Sequence, residues 1–236
     1  MSGGELSEQQ RARLLAAETA LLRASCANAV ARDVAIDGGE WIHTISVVAD
    51  PPRENQMQCP LVLWHGFGMA AGSFCLNLGP LSEHFAQVHS LDWNGCGLSS
   101  RPEISEHTCD GAETFMVEAL EQWRKATKIE KLILCGHSLG GYLAVAYAEK
   151  YSSRVEHLVL ASPVGVPIPP TEEEQAEAAK NMGLGRRLAR GVFRSIWESG
   201  ATPQSVSRTL SWVGLDKWMV TRCVKNESTS KHCLLV

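Results

Sequence analysis

Gly136, Ser138 and Gly140 alternate along the chain between a short apolar run and a helical pattern, in the stretch KLILCGHSLGGYLAVAYAEKY from Lys131 to Tyr151. Ile133, Leu134 and Cys135 read as a buried strand, and Leu143, Ala144, Ala146 and Tyr147 carry helical spacing. A strand that must become a helix within three residues turns sharply, and small residues on either side of the serine let it do so. The Ser138 hydroxyl is thereby held clear of the sheet at a strained backbone position, where it can attack an acyl carbon.

Such an attack needs a receiver for the negative charge that develops on the acyl oxygen. The loop His65-Gly66-Phe67-Gly68 follows an apolar strand, and its glycines free backbone N–H groups to point at that charge. The Phe67 amide, with the Leu139 amide beside the serine, is the candidate oxyanion hole. His65 reads as a structural histidine that hydrogen-bonds this loop. A second loop, Asp92-Trp93-Asn94-Gly95-Cys96-Gly97-Leu98-Ser99-Ser100-Arg101-Pro102, packs glycines and capping groups into a tight turn, and Asp92 reads as architectural.

The elements that must position these loops are legible around them. Ser7 to about Ala29 reads as an amphipathic helix with a capping box of Ser7 and Gln10, burying Leu14, Leu15, Leu21 and Leu22 against the body. Ala31–Ile36 and Trp41–Val48, joined by Asp37-Gly38-Gly39-Glu40, form an antiparallel hairpin ended by Pro51 and Pro52. The strands Leu61–Trp64, Val88–Leu91, Lys131–Cys135 and Val155–Leu160 alternate with helical stretches, among them Gly111–Ala126, which predicts an α/β fold with a mostly parallel sheet. Ligands bind such sheets at the carboxyl ends of the strands, where the loops above begin. The expected organisation is an N-terminal helix over 1–30, a core over 31–165, a helical lid over 166–222 and an irregular tail over 223–236.

With 236 residues, of which 44% are hydrophobic, the chain can bury one substantial core. A net charge of -4 without a dense Lys/Arg cluster argues against nucleic acid as a partner. The eight cysteines show no C-x-x-C pair and no metal-ligand spacing, so they read as reduced thiols of an intracellular protein, and no metal or other cofactor is expected. Glu5 and Glu8, with Arg11, Arg13 and Arg23 in the first apolar stretch, exclude a secretory signal there and disfavour a mitochondrial presequence.

The order HGFG, DWNGCGLSSRP, GHSLGG, then HLVLASPVGVP resembles the α/β-hydrolase superfamily. The segments SFCLNLGPLSEHF and ETFMVEALEQWRK are similar to its lipid-acting branch of abhydrolase-domain lysophospholipases, lysophosphatidic acid acyltransferases and cardiolipin deacylases. The resemblance spans about Gln58 to Pro170. It implies deacylation of phospholipids or lysophospholipids, or acyl transfer to lysophosphatidic acid, with Ser138 as nucleophile and Phe67 and Leu139 as oxyanion donors. His65, Gly66, Gly68, Gly136, His137 and Gly140 would support them. In the resembling family the triad acid and histidine follow the serine. Here only Asp216 and His232 satisfy that order, and they stand too close together for each to follow its own strand. His137 lies on a turn that points neighbouring side chains apart, and His43, His84, His89, His107 and His157 sit in strand or helix-end patterns. The family's His-x4-Asp signature is absent, and the chain reads as the front part of a hydrolase.

Within the expected lid, Leu188, Val192, Phe193, Ile196 and Trp197 form an apolar stripe, with Arg186, Arg187, Arg190 and Arg194 mostly on the other side. That pattern suits either a cover for the site or peripheral contact with an anionic lipid surface, including a lipid droplet or mitochondrial membrane. Glu172, Glu173, Glu174 and Glu177 read as the solvated start of a helix. Cys233-Leu234-Leu235-Val236 has the form of a prenylation signal without its usual last residue. Two readings stay open: a serine esterase of lipid substrates, or a catalytically incomplete protein that binds lipid or regulates a lipase.

Overall fold

The computed structural model describes residues 5–104 and 108–165, together with Thr171, Gly191 and Ser195. The fold below lies within the compact unit Met1–Val166. The lid stripe and its arginines, the glutamate run, His107, Asp216, His232 and the Cys233 tetrapeptide lie outside the described residues.

Six strands among the described residues form one sheet in the order β1-β2-β4-β3-β5-β6. They are β1 (Val30–Ala35), β2 (Trp41–Val48), β3 (Leu61–Trp64), β4 (Gln87–Leu91), β5 (Leu132–His137) and β6 (Val155–Ala161). β1 with β2 and β2 with β4 pair antiparallel, and β4 with β3, β3 with β5 and β5 with β6 pair parallel. The hairpin reverses through Asp37–Gly39, where Gly38 and Gly39 take positive φ that a side chain would strain. The helices are α1 (Glu8–Ser25), α2 (Cys75–Ser82), α3 (Cys109–Ala126) and α4 (Leu139–Lys150).

Period-two alternation divides the core between the two faces of the sheet. Val62, Trp64, Leu132 and Leu134 pack with Val117, Leu120 and Trp123 of α3 and Leu143, Ala144 and Tyr147 of α4. Leu61, Leu63 and Ile133 point the other way, against Leu22 of α1 and Cys75 and Leu78 of α2. α3 begins two residues before its sequence expectation because Thr108 Oγ1 accepts from the Gly111 amide at 3.0 Å. One charge group is buried where α3 meets α4: Glu121 accepts from Arg124 at 2.7 and 2.8 Å and from the Tyr147 hydroxyl at 2.8 Å. Burial opposes the Glu121 anion, but these donors outweigh it and hold the carboxyl below its ordinary range.

Helix α1 corrects one expectation. Its capping box is present, with Ser7 and Gln10 bonded reciprocally. Of its residues, however, only Leu22 is buried, while Leu14, Leu15 and Leu21 are exposed. Charged contacts supply much of its attachment: Arg11 to Asp33 of β1, and Glu18 to His43 of β2 at 2.8 Å.

Candidate active site

Strand register brings the loops together. Trp64 of β3 pairs with Leu91 of β4 on one side and Gly136 of β5 on the other. The chain therefore leaves the sheet at His65, Asp92 and His137 along one edge, at the carboxyl ends of three adjacent strands.

Ser138 sits between β5 and α4 with φ 55 and ψ -118. A residue with a Cβ adopts that region at a cost of about 1–3 kcal/mol, and surrounding bonds must enforce it. Here they come from two directions. The Ser138 N–H donates to Ala161 O at 3.1 Å, and Ser138 O accepts from Gly141 N and Val164 N, both at 3.0 Å. Close packing fixes the glycines around it. A Cβ on Gly136 would overlap the Gly140 carbonyl, and one on Gly140 would overlap the carbonyl oxygens of Trp64 and His65. At Gly136 and Gly140, β5, α4 and the end of β3 meet backbone to backbone, which is why small residues flank the serine.

The loop after β3 closes against this turn. A Cβ on Gly66 would stand 3.0 Å from Ser138 Cβ and 3.1 Å from His137 Nδ1. Met69 N–H donates to Gly66 O at 3.2 Å, and Gly68 takes φ 75 inside that turn. His65 lies fully buried beneath it, with Nδ1 2.8 Å from Gly66 O. A carbonyl only accepts, so Nδ1 carries the proton, leaving Nε2 to accept from Trp93 N–H at 3.4 Å. Burial pushes the imidazole below its ordinary value, consistent with this neutral tautomer. In a trans peptide the C=O and the following N–H point in opposite directions. With Gly66 O held by His65 and Met69, the Phe67 N–H is turned the other way. Leu139 opens α4, so its N–H lies in the first turn, where amides lack partners within the helix and the helix dipole favours an anion.

Asp92 braces both loops from below. Its carboxylate accepts from Ala71 N at 2.6 Å, just beyond the Gly66–Met69 turn, and from Leu98 N at 2.8 Å. Burial raises its pKa, while these two bonds favour the anion. A Cβ on Gly97 would overlap this carboxylate, and Gly97 also has φ 50. Ser99 Oγ donates to Asp92 O at 3.0 Å and accepts from His43 N at 2.8 Å, so the second loop is stitched to β2.

Sequence reasoning missed two positioning features. Trp93 stacks on the His65 ring, with centroids 4.7 Å apart and an interplanar angle of 10°. The segment after β6 supplies Ala161 O and Val164 N to Ser138, and the Ser162-Pro163-Val164-Gly165 turn signal marks where the chain bends back. The described histidines other than His65 and His137 lie in other settings. His43 is bonded by Glu18 and Asp33, His89 by Ser46, and His84 and His157 are exposed.

A model of the alpha/beta hydrolase fold matches residues 60–195. The chain belongs to the α/β-hydrolase fold family. A (lyso)-N-acylphosphatidylethanolamine lipase of Homo sapiens is 40% identical over 149 residues, which cover 63% of this chain and 42% of that protein. A 1-acylglycerol-3-phosphate O-acyltransferase of Homo sapiens is 46% identical over 116 residues, covering 49% of this chain and 33% of that one. A probable 1-acylglycerol-3-phosphate O-acyltransferase of Oryza sativa subsp. japonica is 31% identical over 218 residues, 87% of this chain and 50% of that protein. The chain thus spans half or less of the length of these curated relatives. Its fold is similar to that of a solved membrane phospholipase A, with a TM-score of 0.54 and 23% identity, over 74% of this chain and 51% of the other.

Proposed function

We propose that the protein is a serine hydrolase of lipid carboxylic esters, acting through an acyl-enzyme on Ser138. One observation carries this reading: Ser138 holds a strained positive-φ backbone conformation directly against Gly66, in the turn that leads to the candidate donor Phe67. In the first step Ser138 Oγ bonds to the acyl carbon and gives its proton to a general base. The carbonyl oxygen becomes an oxyanion between the Phe67 and Leu139 amides. Collapse restores the carbonyl, breaks the ester C–O bond and releases the protonated alcohol. Water then attacks the acyl-enzyme to free a fatty acid. With a lysophosphatidic acid hydroxyl as attacker, the same step transfers the acyl group instead.

Lipid as the substrate class is supported by the activities in the names of the relatives. It is also supported by the exposed apolar side chains of Phe67, Met69, Tyr142 and Val164, which belong to the loops and helix turn flanking Ser138. No helix among the described residues is long and apolar enough to cross a membrane. The candidate for contact with an anionic lipid surface is the sequence stripe Leu188, Val192, Phe193, Ile196 and Trp197, with Arg186, Arg187, Arg190 and Arg194 mostly on the other side. Asp216 and His232 satisfy the chain order for acid and base, but their spacing leaves too little chain for each to follow its own strand.

The commitment of His43, His65 and His89 to other partners favours a second reading, a lipid-binding or lipase-regulating protein without turnover. A fluorophosphonate probe separates the two. Labelling of the 236-residue chain that disappears in Ser138→Ala supports the hydrolase. No labelling of the folded chain supports the second reading.

A further inference from the structure

His43, in β2, is 2% exposed and belongs to none of the groups that contact Ser138. Its Nε2 lies 2.8 Å from Glu18 Oε1 of α1, and its Nδ1 lies 2.7 Å from Asp33 Oδ1 of β1. An ionised carboxylate only accepts hydrogen bonds, so both contacts are bonds only when both ring nitrogens carry protons. The same constellation continues outward. Arg11 of α1 bonds the other oxygen of Asp33 and donates to Leu98 O at 2.8 Å, and its guanidinium lies 5.4 Å from the centre of the Trp41 ring. Leu98 N in turn bonds Asp92, which holds Ala71.

The helix that Glu18 belongs to has little else to hold it. Leu22, joined by the C-cap residue Cys26, is buried in the cluster with Ala71, Cys75 and Leu78 that follows the Gly66–Met69 turn. The attachment of α1 is therefore divided between a small apolar anchor and a charged clamp, and the clamp reaches the loop after β4 at Leu98 and Ser99.

We propose that His43 is a pH-sensitive latch for helix α1: as an imidazolium it bridges Glu18 and Asp33, and loss of one proton breaks a bridge and frees the helix from the sheet. The charged groups facing the ring are Glu18 and, through Asp33, Arg11 from α1, Asp33 from β1, and Asp92 after β4. Arg32, next to Asp33 on β1, acts on His89 instead. Burial is the largest single influence on His43 and disfavours its charge, but the Glu18 and Asp33 bonds together outweigh it and raise its pKa. A histidine raised in the docked state contributes its stabilisation fully below the ordinary imidazole value of about 6.5 and loses it as pH rises through the docked value. The latch is closed in acid and opens in alkali.

Amide hydrogen exchange on the 236-residue chain, corrected for intrinsic rates, tests this between about pH 6 and about pH 9. Protection over residues 8–25 is expected to fall about tenfold per pH unit above about 6.5, until His43 loses its proton in the docked state as well. Amides of α4 that open without releasing α1 keep constant protection. Glu18→Gln removes one carboxylate and lowers the docked value, so the fall ends at lower pH and is smaller in total. His43→Gln lowers protection of 8–25 and makes it flat with pH, and if that variant does not fold, Glu18→Gln carries the test alone. Protection of 8–25 that is constant across the range, or a fall whose extent Glu18→Gln leaves unchanged, overturns the latch.

Discussion

Gly66 and Ser138 meet with no room for another carbon: a Cβ on the glycine would lie 3.0 Å from Ser138 Cβ. The contact joins the two loops from which the proposed nucleophile and the oxyanion donor emerge, so it sets their separation. Gly66→Ala must widen that separation by a few tenths of an ångström. The rate of fluorophosphonate labelling is expected to fall on the order of tenfold to a hundredfold, as small misplacements of reacting groups do. Unfolding free energy should change by about 1 kcal/mol. Unchanged labelling would show that the two loops do not cooperate in the reaction.

The orientation of the Gly66–Phe67 peptide is set by two donors to Gly66 O, the Met69 amide and the proton of His65 Nδ1. His65→Phe keeps a ring to stack on Trp93 but cannot donate, which leaves Gly66 O bonded by Met69 alone. Labelling should slow by about tenfold or more, and stability should drop by about 1–3 kcal/mol for the lost buried bond. His65→Asn, which can donate, should recover part of the rate. A stability loss with no change in labelling would assign the histidine to packing only.

Glu121 joins α3 to α4 through Arg124 and Tyr147, and Arg124 also donates to the carbonyls of Ile129 and Glu130 just before β5. Glu121→Gln keeps the shape but leaves a buried guanidinium without its counter-charge. The expected cost is about 3–5 kcal/mol, read as a lower urea midpoint with unchanged slope. Replacing Glu121 and Arg124 together by Leu and Met should cost less than the single change, because no unpaired charge remains. A single variant as stable as the parent would show that water reaches the pair.

The strand–turn–helix around Ser138 was readable because its physics is local: an apolar run, small residues where backbones touch, then helical spacing. β3 was placed at Leu61–Trp64 for the same reason. α2 was not singled out, since Gly79 and Pro80 weaken its pattern, and it exists through burial of Cys75 and Leu78. The expected burial of Leu14, Leu15 and Leu21 failed because α1 is held in large part by charge, and that charge is long-range. Asp33 and His43 become neighbours only through the β1–β2 register, and Glu18 reaches them from a separate helix. Trp93 over His65 is likewise a contact between loops of different strands, invisible to any period along the chain. The expected lid, Asp216 and His232 lie outside the described residues.

His89 contributes to the acid side of the stability profile, alongside the lowered pKa values of His65 and Glu121. It is buried opposite Ser46, whose Oγ lies 2.8 Å from Nδ1, and it meets Trp123 edge to face at 5.5 Å. Burial, with a smaller contribution from Arg32, lowers its pKa to about 4. A histidine depressed in the folded state contributes stability that is present above the unfolded value and lost as pH falls through the window down to the folded value. Between about pH 6.5 and about pH 4 the loss amounts to about 3 kcal/mol. His89→Gln retains a partner for Ser46 and does not titrate. Urea unfolding at about pH 7 and about pH 4.5 should show the parent losing about 2–3 kcal/mol more than the variant. Equal acid sensitivity in both would mean that His89 is reached by solvent before the protein unfolds. The His43 clamp runs in the opposite direction, so acid and alkali should loosen different parts of the molecule: the β2–β4 pairing in one case, helix α1 in the other.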